Sequence, residues 1–146
     1  MNKHSQGSLT AKAAVSDISV FVAIPHNQQF AEIYDNSILP TVSELGLRIN
    51  RVKHQNDDVS LIKEIAEKIE NSDMFVAVTS GKNPHVYLEV GIAIAMQKPG
   101  ILIASNPKDL EIFEDQFVCL LFDNDLAGFS RRLKTEMHKA LLKQRT

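Results

Sequence analysis

The amino-acid sequence predicts an α/β protein: a three-layer sandwich with a five-stranded parallel sheet of flavodoxin-like order 2-1-3-4-5 and helices on both faces. Short apolar runs at residues 18–24, 74–78 and 101–104 are typical of central strands that are buried on both sides of a parallel sheet. Segments whose apolar residues recur at helical spacing alternate with these runs, as in βαβ units. A length of 146 residues suits a single domain with a sizeable core.

Composition narrows the class of protein further. Residues 1–16 are polar and lack periodicity, so they are expected to form a flexible leader before a single domain at 17–146. A net charge of −2 gives no overall attraction to nucleic acid or to anionic membranes. No apolar run reaches the length of a membrane span, so a cytoplasmic location is expected. The lone cysteine, Cys119, lies in an apolar run and is expected to be a buried structural thiol.

The N-terminal half of the domain reads as strand, helix, strand, helix. After the strand at 18–24, a helix is predicted over 29–45, where Pro40 should kink or split it because proline has no amide hydrogen. An edge-side strand follows at 47–52, and then a polar loop at 53–58. Asp58 is expected to cap the next helix. The apolar stripe predicted for that helix consists of Val59, Ile62, Ile65, Ala66 and Ile69.

In the C-terminal half, the strand at 74–78 leads through a polar turn into a largely apolar helix around residues 86–96. Asn83 is a suitable N-cap and Pro84 a suitable first helical residue. Because nearly every residue of this helix is apolar or small, the helix is expected to be largely buried. The segments predicted to follow the strand at 101–104 are a polar loop at 105–116 with a short helical piece at 109–114, a strand at 117–122, and a closing amphipathic helix at 126–143. The loop at 105–116 could act as a lid over a binding site.

One residue of the apolar helix stands out. Glu89 is the single acid between Val86 and Met96. Burial of a carboxylate is costly, so such a group is paired, protonated or directed at a cavity. A contact with His85 one turn away, or a partly exposed position, would be simpler explanations. However, the second turn of a helix that follows a central strand lies at the carboxyl edge of the sheet, where open α/β sheets bind ligands.

A family resemblance centres on the same helix. The segment NPHVYLEVG at 83–91 resembles the nucleoside 2-deoxyribosyltransferase-like superfamily. The resemblance extends to NSDMFVAV before this segment, QKPG after it and VFVAIP near the start of the chain. That group includes nucleotide N-glycosidases and TIR-like domains that cleave NAD, and the match covers about residues 18–123. The resemblance places Glu89 at the position of the family's catalytic glutamate. The sequence departs from the family pattern in two places. The turn Val78-Thr79-Ser80 lacks the family's aspartate. The residue before Glu89 is Leu88 where the family has a tyrosine, and the tyrosine is found one position earlier, as Tyr87.

The expected site combines this resemblance with the predicted topology. Strands one and three should be neighbours, so the loops that follow them should share one crevice, and helix N-terminal amides near Gly81 could hold a phosphate. Glu89 is the expected catalytic residue. The expected substrate-binding residues are Pro25, His26, Asn27, Tyr34, Ser80, Gly81, Asn83 and His85. A surface turn remains open for His26 and a plain core role for Tyr34. Arg51, near the end of the second strand, could meet a phosphate or ribose or could be solvated.

The resemblance implies cleavage or transfer at the N-glycosidic bond of a nucleoside, a nucleotide or NAD. The alternative is a non-catalytic TIR-like module that senses nucleotides or self-assembles. Relatives often complete their pocket across a subunit boundary, which implies a homo-oligomer. The proposed reaction requires no cofactor, and NAD would take part as a substrate. The five histidines and one cysteine lack the spacing of a zinc site. The sequence has no G-x-G-x-x-G loop, P-loop or G-x-S-x-G elbow.

Overall fold

A computed structural model describes residues 17–52 and 59–144 of the chain. Five strands form one parallel sheet in the order β2-β1-β3-β4-β5, which confirms the predicted fold class and strand order. The strands are β1 (Ser19–Ala23), β2 (Arg48–Asn50), β3 (Met74–Val78), β4 (Gly100–Ala104) and β5 (Val118–Leu121). The predicted leader at 1–16 and the polar loop at 53–58, including the Asp58 cap, lie outside the described residues.

Five α-helices accompany the sheet in the described part of the chain. They are α1 (Ala31–Ile33), α2 (Leu39–Glu44), α3 (Val59–Glu70), α4 (Pro84–Ala95) and α5 (Leu126–Gln144). Over the described residues, none of these helices combines the length and apolar character needed to cross a bilayer.

The predicted helix at 29–45 is split, as Pro40 suggested. A 3₁₀ turn at Gln28–Phe30 leads into α1, and a π-helix at Tyr34–Ile38 separates α1 from α2. In the π-helix the amide of Leu39 bonds to the carbonyl of Tyr34, five residues earlier. Pro40 has no amide to continue the α-helical ladder, so the wider turn fits the local hydrogen bonding.

Alternate residues of each central strand enter two separate apolar cores, which gives the three layers. On one face, strand residues such as Val22 and Val76 pack with the α1–α2 segment and with α5. On the other face, residues such as Phe75 and Leu102 pack with α3 and α4. The four residues predicted to face inward from the closing helix are all buried: Phe129, Leu133, Met137 and Leu141.

Several details correct the sequence-based expectations. In α3, Ile65 and Ile69 are buried as predicted, but Ile62 is 47% exposed and Leu61 is buried instead, because residues 61, 65 and 69 share one face at a spacing of four. Helix α4 is not buried all round, since Leu88 is 41% exposed. Cys119 is half-buried rather than buried, because β5 is an edge strand. The helical piece of the 105–116 loop is two short 3₁₀ turns, Pro107–Asp109 and Glu111–Phe113.

Candidate active site

The start of helix α4 fixes the position of Glu89. The Asn83 side chain accepts hydrogen bonds from the amides of His85 (2.9 Å) and Val86 (3.2 Å), and Pro84 is the first helical residue. This cap orients the helix so that Val86 and Val90 pack against the sheet. Glu89 lies between them in sequence and is only 2% exposed. The structure therefore excludes the alternative of a partly exposed glutamate.

Burial controls the proton affinity of Glu89. Loss of solvation raises its pKa from 4.5 to about 8, and the positive charge of Arg51 acts in the opposite direction. At neutral pH the free protein therefore holds Glu89 largely in its protonated form. A carboxyl group poised to change charge near neutrality is a common feature of catalytic sites.

A cavity of 170 Å³ lies at the carboxyl ends of β1 and β2. Its lining residues are Ile24, Pro25, His26, Asn27, Phe30, Ala31, Tyr34, Asp35 and Arg51. The cavity thus brings together four of the residues expected from the sequence to bind substrate. Asp35 was not foreseen, because the π-helix that presents it to the cavity is not apparent from apolar spacing.

Arg51 is the other lining residue without a firm assignment from the sequence. Its guanidinium carbon lies 4.1 Å from the centroid of the Tyr34 ring, in cation–π geometry. Its Nε is buried and makes no hydrogen bond in the structure. The side chain as a whole is half-buried, so it is not a fully solvated loop cation.

His26 connects the loop after β1 to the end of β2. Its Nε2 donates a hydrogen bond to the Val52 carbonyl at 3.0 Å. Burial, Arg51 and His85 lower the pKa of His26, and the bond to Val52 opposes them. The electrostatic influence of His85 shows that the first turn of α4 lies near this loop, as expected for strands β1 and β3 paired side by side.

The turn after β3 is positioned differently from the loop after β1. Ser80, Gly81, Asn83 and His85 are not among the lining residues of the cavity. The Gly81 amide, at a φ of +73°, donates to the Asp109 carboxylate at 2.8 Å. The Ser80 hydroxyl accepts from the Ser105 amide at 3.1 Å. The amide expected to hold a phosphate is therefore engaged by a residue of the 105–116 loop, which no sequence signal identified.

The 105–116 loop also packs on α4. The Tyr87 and Phe113 rings meet edge to face with centroids 5.8 Å apart. The Thr79 hydroxyl donates to the Asp109 carbonyl at 2.9 Å. Burial and the charge of Asp109 raise the pKa of Tyr87. Tyr87, which lies two positions before Glu89 in the sequence, thus supports the loop. Among the described residues, no group of three His, Cys, Asp or Glu side chains is arranged to hold a metal ion.

Comparison with known proteins gives likenesses in structure. No protein-family model matches the sequence, and no curated protein matches it. A CMP N-glycosidase of Clostridium botulinum, BcmB, has a TM-score of 0.61 at 17% identity, over 80% of this chain and 98% of the other. A 2-deoxyribosyltransferase of Bacillus psychrosaccharolyticus has a TM-score of 0.55 at 13% identity, over 77% and 90%.

A de novo designed Rossmann 2x3 protein matches as well as the 2-deoxyribosyltransferase does. Its TM-score is 0.55 at 16% identity, over 84% of this chain and 90% of the designed one. At such identities these likenesses establish the fold, and a designed protein with the same fold carries no implication for activity. Any assignment of function must therefore rest on the residues of the site.

Proposed function

We propose that this protein cleaves the N-glycosidic bond of a nucleoside or nucleotide, with Glu89 as the residue that acts at the anomeric carbon. The observation that carries the proposal is the burial of Glu89 within electrostatic range of Arg51, with its pKa raised to about 8. A core helix has no structural need for a carboxylate at such a cost.

Two further observations support this assignment. Arg51 acts electrostatically on both Glu89 and His26, and His85 acts on His26. The charged and titratable groups of this region therefore come from three separate segments of the chain. The fold is also that of two enzymes described as a CMP N-glycosidase and a 2-deoxyribosyltransferase. The resemblance of the local pattern at 83–91 points to the same glutamate.

The proposed chemistry needs an ionised carboxylate. As the bond between C1′ and the base nitrogen breaks, the base takes the electron pair and positive charge develops on the sugar. The Glu89 carboxylate stabilises this charge or forms an ester with C1′. In hydrolysis water then attacks C1′, any ester to Glu89 breaks, and the proton lost by the water is taken up by the departed base. In transfer a second base attacks C1′ through a ring nitrogen, and its N–H proton passes to the departed base. Because Glu89 is 2% exposed, contact with the sugar requires that the groups covering it move aside when substrate binds.

The test is release of free base, measured by chromatography, from a panel of ribonucleosides, deoxyribonucleosides, their 5′-monophosphates and NAD. Glu89→Gln keeps the shape of the side chain but cannot ionise, so it should reduce the rate at least a thousandfold. Glu64→Gln, an exposed acid of α3, is the matched control and should leave the rate unchanged. A Glu89→Gln protein as active as the wild type would exclude Glu89 from the reaction. Adding a second free base separates transfer from hydrolysis.

The competing function is a non-catalytic module that binds nucleotides. The engagement of the Gly81 amide by Asp109 favours it, because this donor is not available to a substrate in the present conformation. The two functions differ in a simple observation. Nucleotide binding without release of base from any member of the panel, coupled to self-association, would support the module and not the enzyme.

A homo-oligomer forms part of the proposal, and the outer face of α4 supports it. Four apolar or small residues on this face are solvent-exposed: Pro84, Leu88, Gly91 and Ala95. Helices that are apolar on all sides are normally covered on all sides. A second copy of the chain placed on this face would contact Leu88, the residue before Glu89 in the sequence.

A further inference from the structure

We infer that Arg51 is the receptor for a phosphate group, so that the substrate is a nucleoside 5′-monophosphate rather than an uncharged nucleoside. The inference rests on the proposed function and specifies its substrate class. It starts from the cavity at the ends of β1 and β2 and from the unusual position of one guanidinium within it.

Part of the hydrogen-bonding capacity of Arg51 is unused. Its guanidinium carbon lies 4.1 Å from the centroid of the Tyr34 ring, a cation–π contact that holds the group at the cavity. Its buried Nε makes no hydrogen bond, and no ion pair joins it to any residue in the parts of the chain that the structure describes. Buried polar groups are almost always satisfied, so an exception calls for a ligand that supplies the missing partner.

The geometry of the group selects the kind of ligand. A guanidinium presents paired N–H groups along an edge, and this edge matches the oxygens of a phosphate in two parallel hydrogen bonds. Among the lining residues Arg51 is the one permanent cation, because burial and Arg51 itself hold the pKa of His26 below its usual value. An anionic group that enters this cavity therefore has a single preferred partner.

Asp35 lines the same cavity and would repel an anion. It is exposed, however, so solvent screens its charge more strongly than that of the half-buried Arg51. It makes no ion pair with Arg51. The carboxylate is better suited to accept hydrogen bonds from sugar hydroxyls or from an exocyclic amine of the base. The two charges would thus contact different parts of one nucleotide.

The size of the cavity limits how much of the substrate it can enclose. At 170 Å³ it is smaller than the roughly 300 Å³ at which pockets begin to enclose drug-sized ligands. It can hold a phosphate with part of the sugar, so the base would lie outside it. The influence of Arg51 on Glu89 shows that the phosphate receptor and the reacting carboxylate are within electrostatic range of each other.

The experiment compares each nucleoside with its own 5′-monophosphate as substrate. For the wild-type protein, kcat/KM should be at least a hundredfold higher for the monophosphate. Arg51→Gln should reduce this ratio at least tenfold, and Arg51→Lys, which keeps the charge but not the planar fork, should lie between the two. Arg48→Gln is the matched control: Arg48 is an exposed arginine of β2, three residues before Arg51, whose guanidinium donates to the Asp17 carbonyl, and its substitution should leave the ratio unchanged.

A second measurement separates this inference from the proposed function. Calorimetric titration of the Glu89→Gln protein with monophosphate and with nucleoside reports binding without turnover. Phosphate-dependent binding that Arg51→Gln abolishes, together with no release of base by the wild-type protein, would refute the enzyme but keep the phosphate receptor. Glu89-dependent turnover with equal kcat/KM for nucleoside and monophosphate would overturn the receptor and keep the enzyme.

The remaining outcomes also decide the question. If Arg51→Gln does not fold, as judged by its melting curve, the Arg51→Lys ratio and inhibition of the wild type by inorganic phosphate replace it. Competitive inhibition by phosphate that weakens in Arg51→Lys is the expected result. Absence of competition by phosphate, or faster turnover of NAD than of any monophosphate, would overturn the inference.

Discussion

At the scale of single residues, Glu89 makes the stability of the protein depend on pH in an unusual direction. Its pKa is about 8 in the folded protein, whereas a solvated glutamate has a pKa of 4.5. Between these values the folded state retains a proton that the unfolded chain has released. The free energy of unfolding contributed by this group is therefore complete below about pH 4.5 and is lost as the pH rises through 8.

The variant Glu89→Gln tests this dependence on pH. Because glutamine does not titrate, the variant should gain stability relative to the wild type between pH 5 and pH 9, by on the order of 4 kcal/mol. Urea unfolding at a series of pH values measures the difference. Curves that remain parallel for the two proteins would show that Glu89 does not carry a raised pKa.

The same residue predicts the pH profile of the reaction. If the carboxylate must be ionised, kcat/KM should rise with pH and level off above about pH 8, the pKa of the buried group. Removal of the positive charge of Arg51, which lowers this pKa, should move the midpoint to higher pH. Arg51→Gln and the control Arg48→Gln, assayed over pH 5 to 10, provide the measurement. A midpoint that does not move in Arg51→Gln would mean that Arg51 does not act on Glu89.

At the scale of elements, the 105–116 loop is held to the turn after β3 by the Asp109 side chain as well as by backbone atoms. Asp109→Ala removes the acceptor of the Gly81 amide and should cost roughly 1 kcal/mol in unfolding free energy. Amide hydrogen exchange in the loop should increase more than in the sheet, because the loss is local. Glu111→Ala, an exposed acid of the same loop, is the control. Equal exchange in the two variants would show that Asp109 does not anchor the loop.

The same scale shows what the sequence could and could not predict. The strands followed from buried apolar runs, and the break at Pro40 followed from the missing amide, because both are local chemical properties. The strand order followed from the alternation of strands and helices, for which few topologies are available. The contact of Arg51 with Tyr34 joins residues 17 positions apart and depends on how a π-helix turns the tyrosine. The bond from Gly81 to Asp109 spans 28 positions. Such contacts depend on tertiary packing, which periodicity and capping rules do not describe.

At the scale of the whole molecule, the exposed face of α4 predicts self-association. Leu88 is 41% exposed in the middle of this face, and the small side chains of Gly91 and Ala95 would allow a second helix to approach closely. A charge placed there should be incompatible with a buried interface, since desolvation of an unpaired carboxylate is costly. Leu88→Glu should therefore be monomeric at concentrations where the wild type is a dimer.

Sedimentation velocity over a range of protein concentrations provides the measurement. Leu142→Glu is the matched control, because Leu142 is 52% exposed on α5, a helix that packs on the opposite face of the sheet, and its substitution should leave the dimer intact. A wild-type protein that sediments as a monomer throughout would refute the interface. So would a Leu88→Glu variant that still forms dimers. Base release by a wild-type monomer would further show that one copy of the chain supplies every group that the reaction needs.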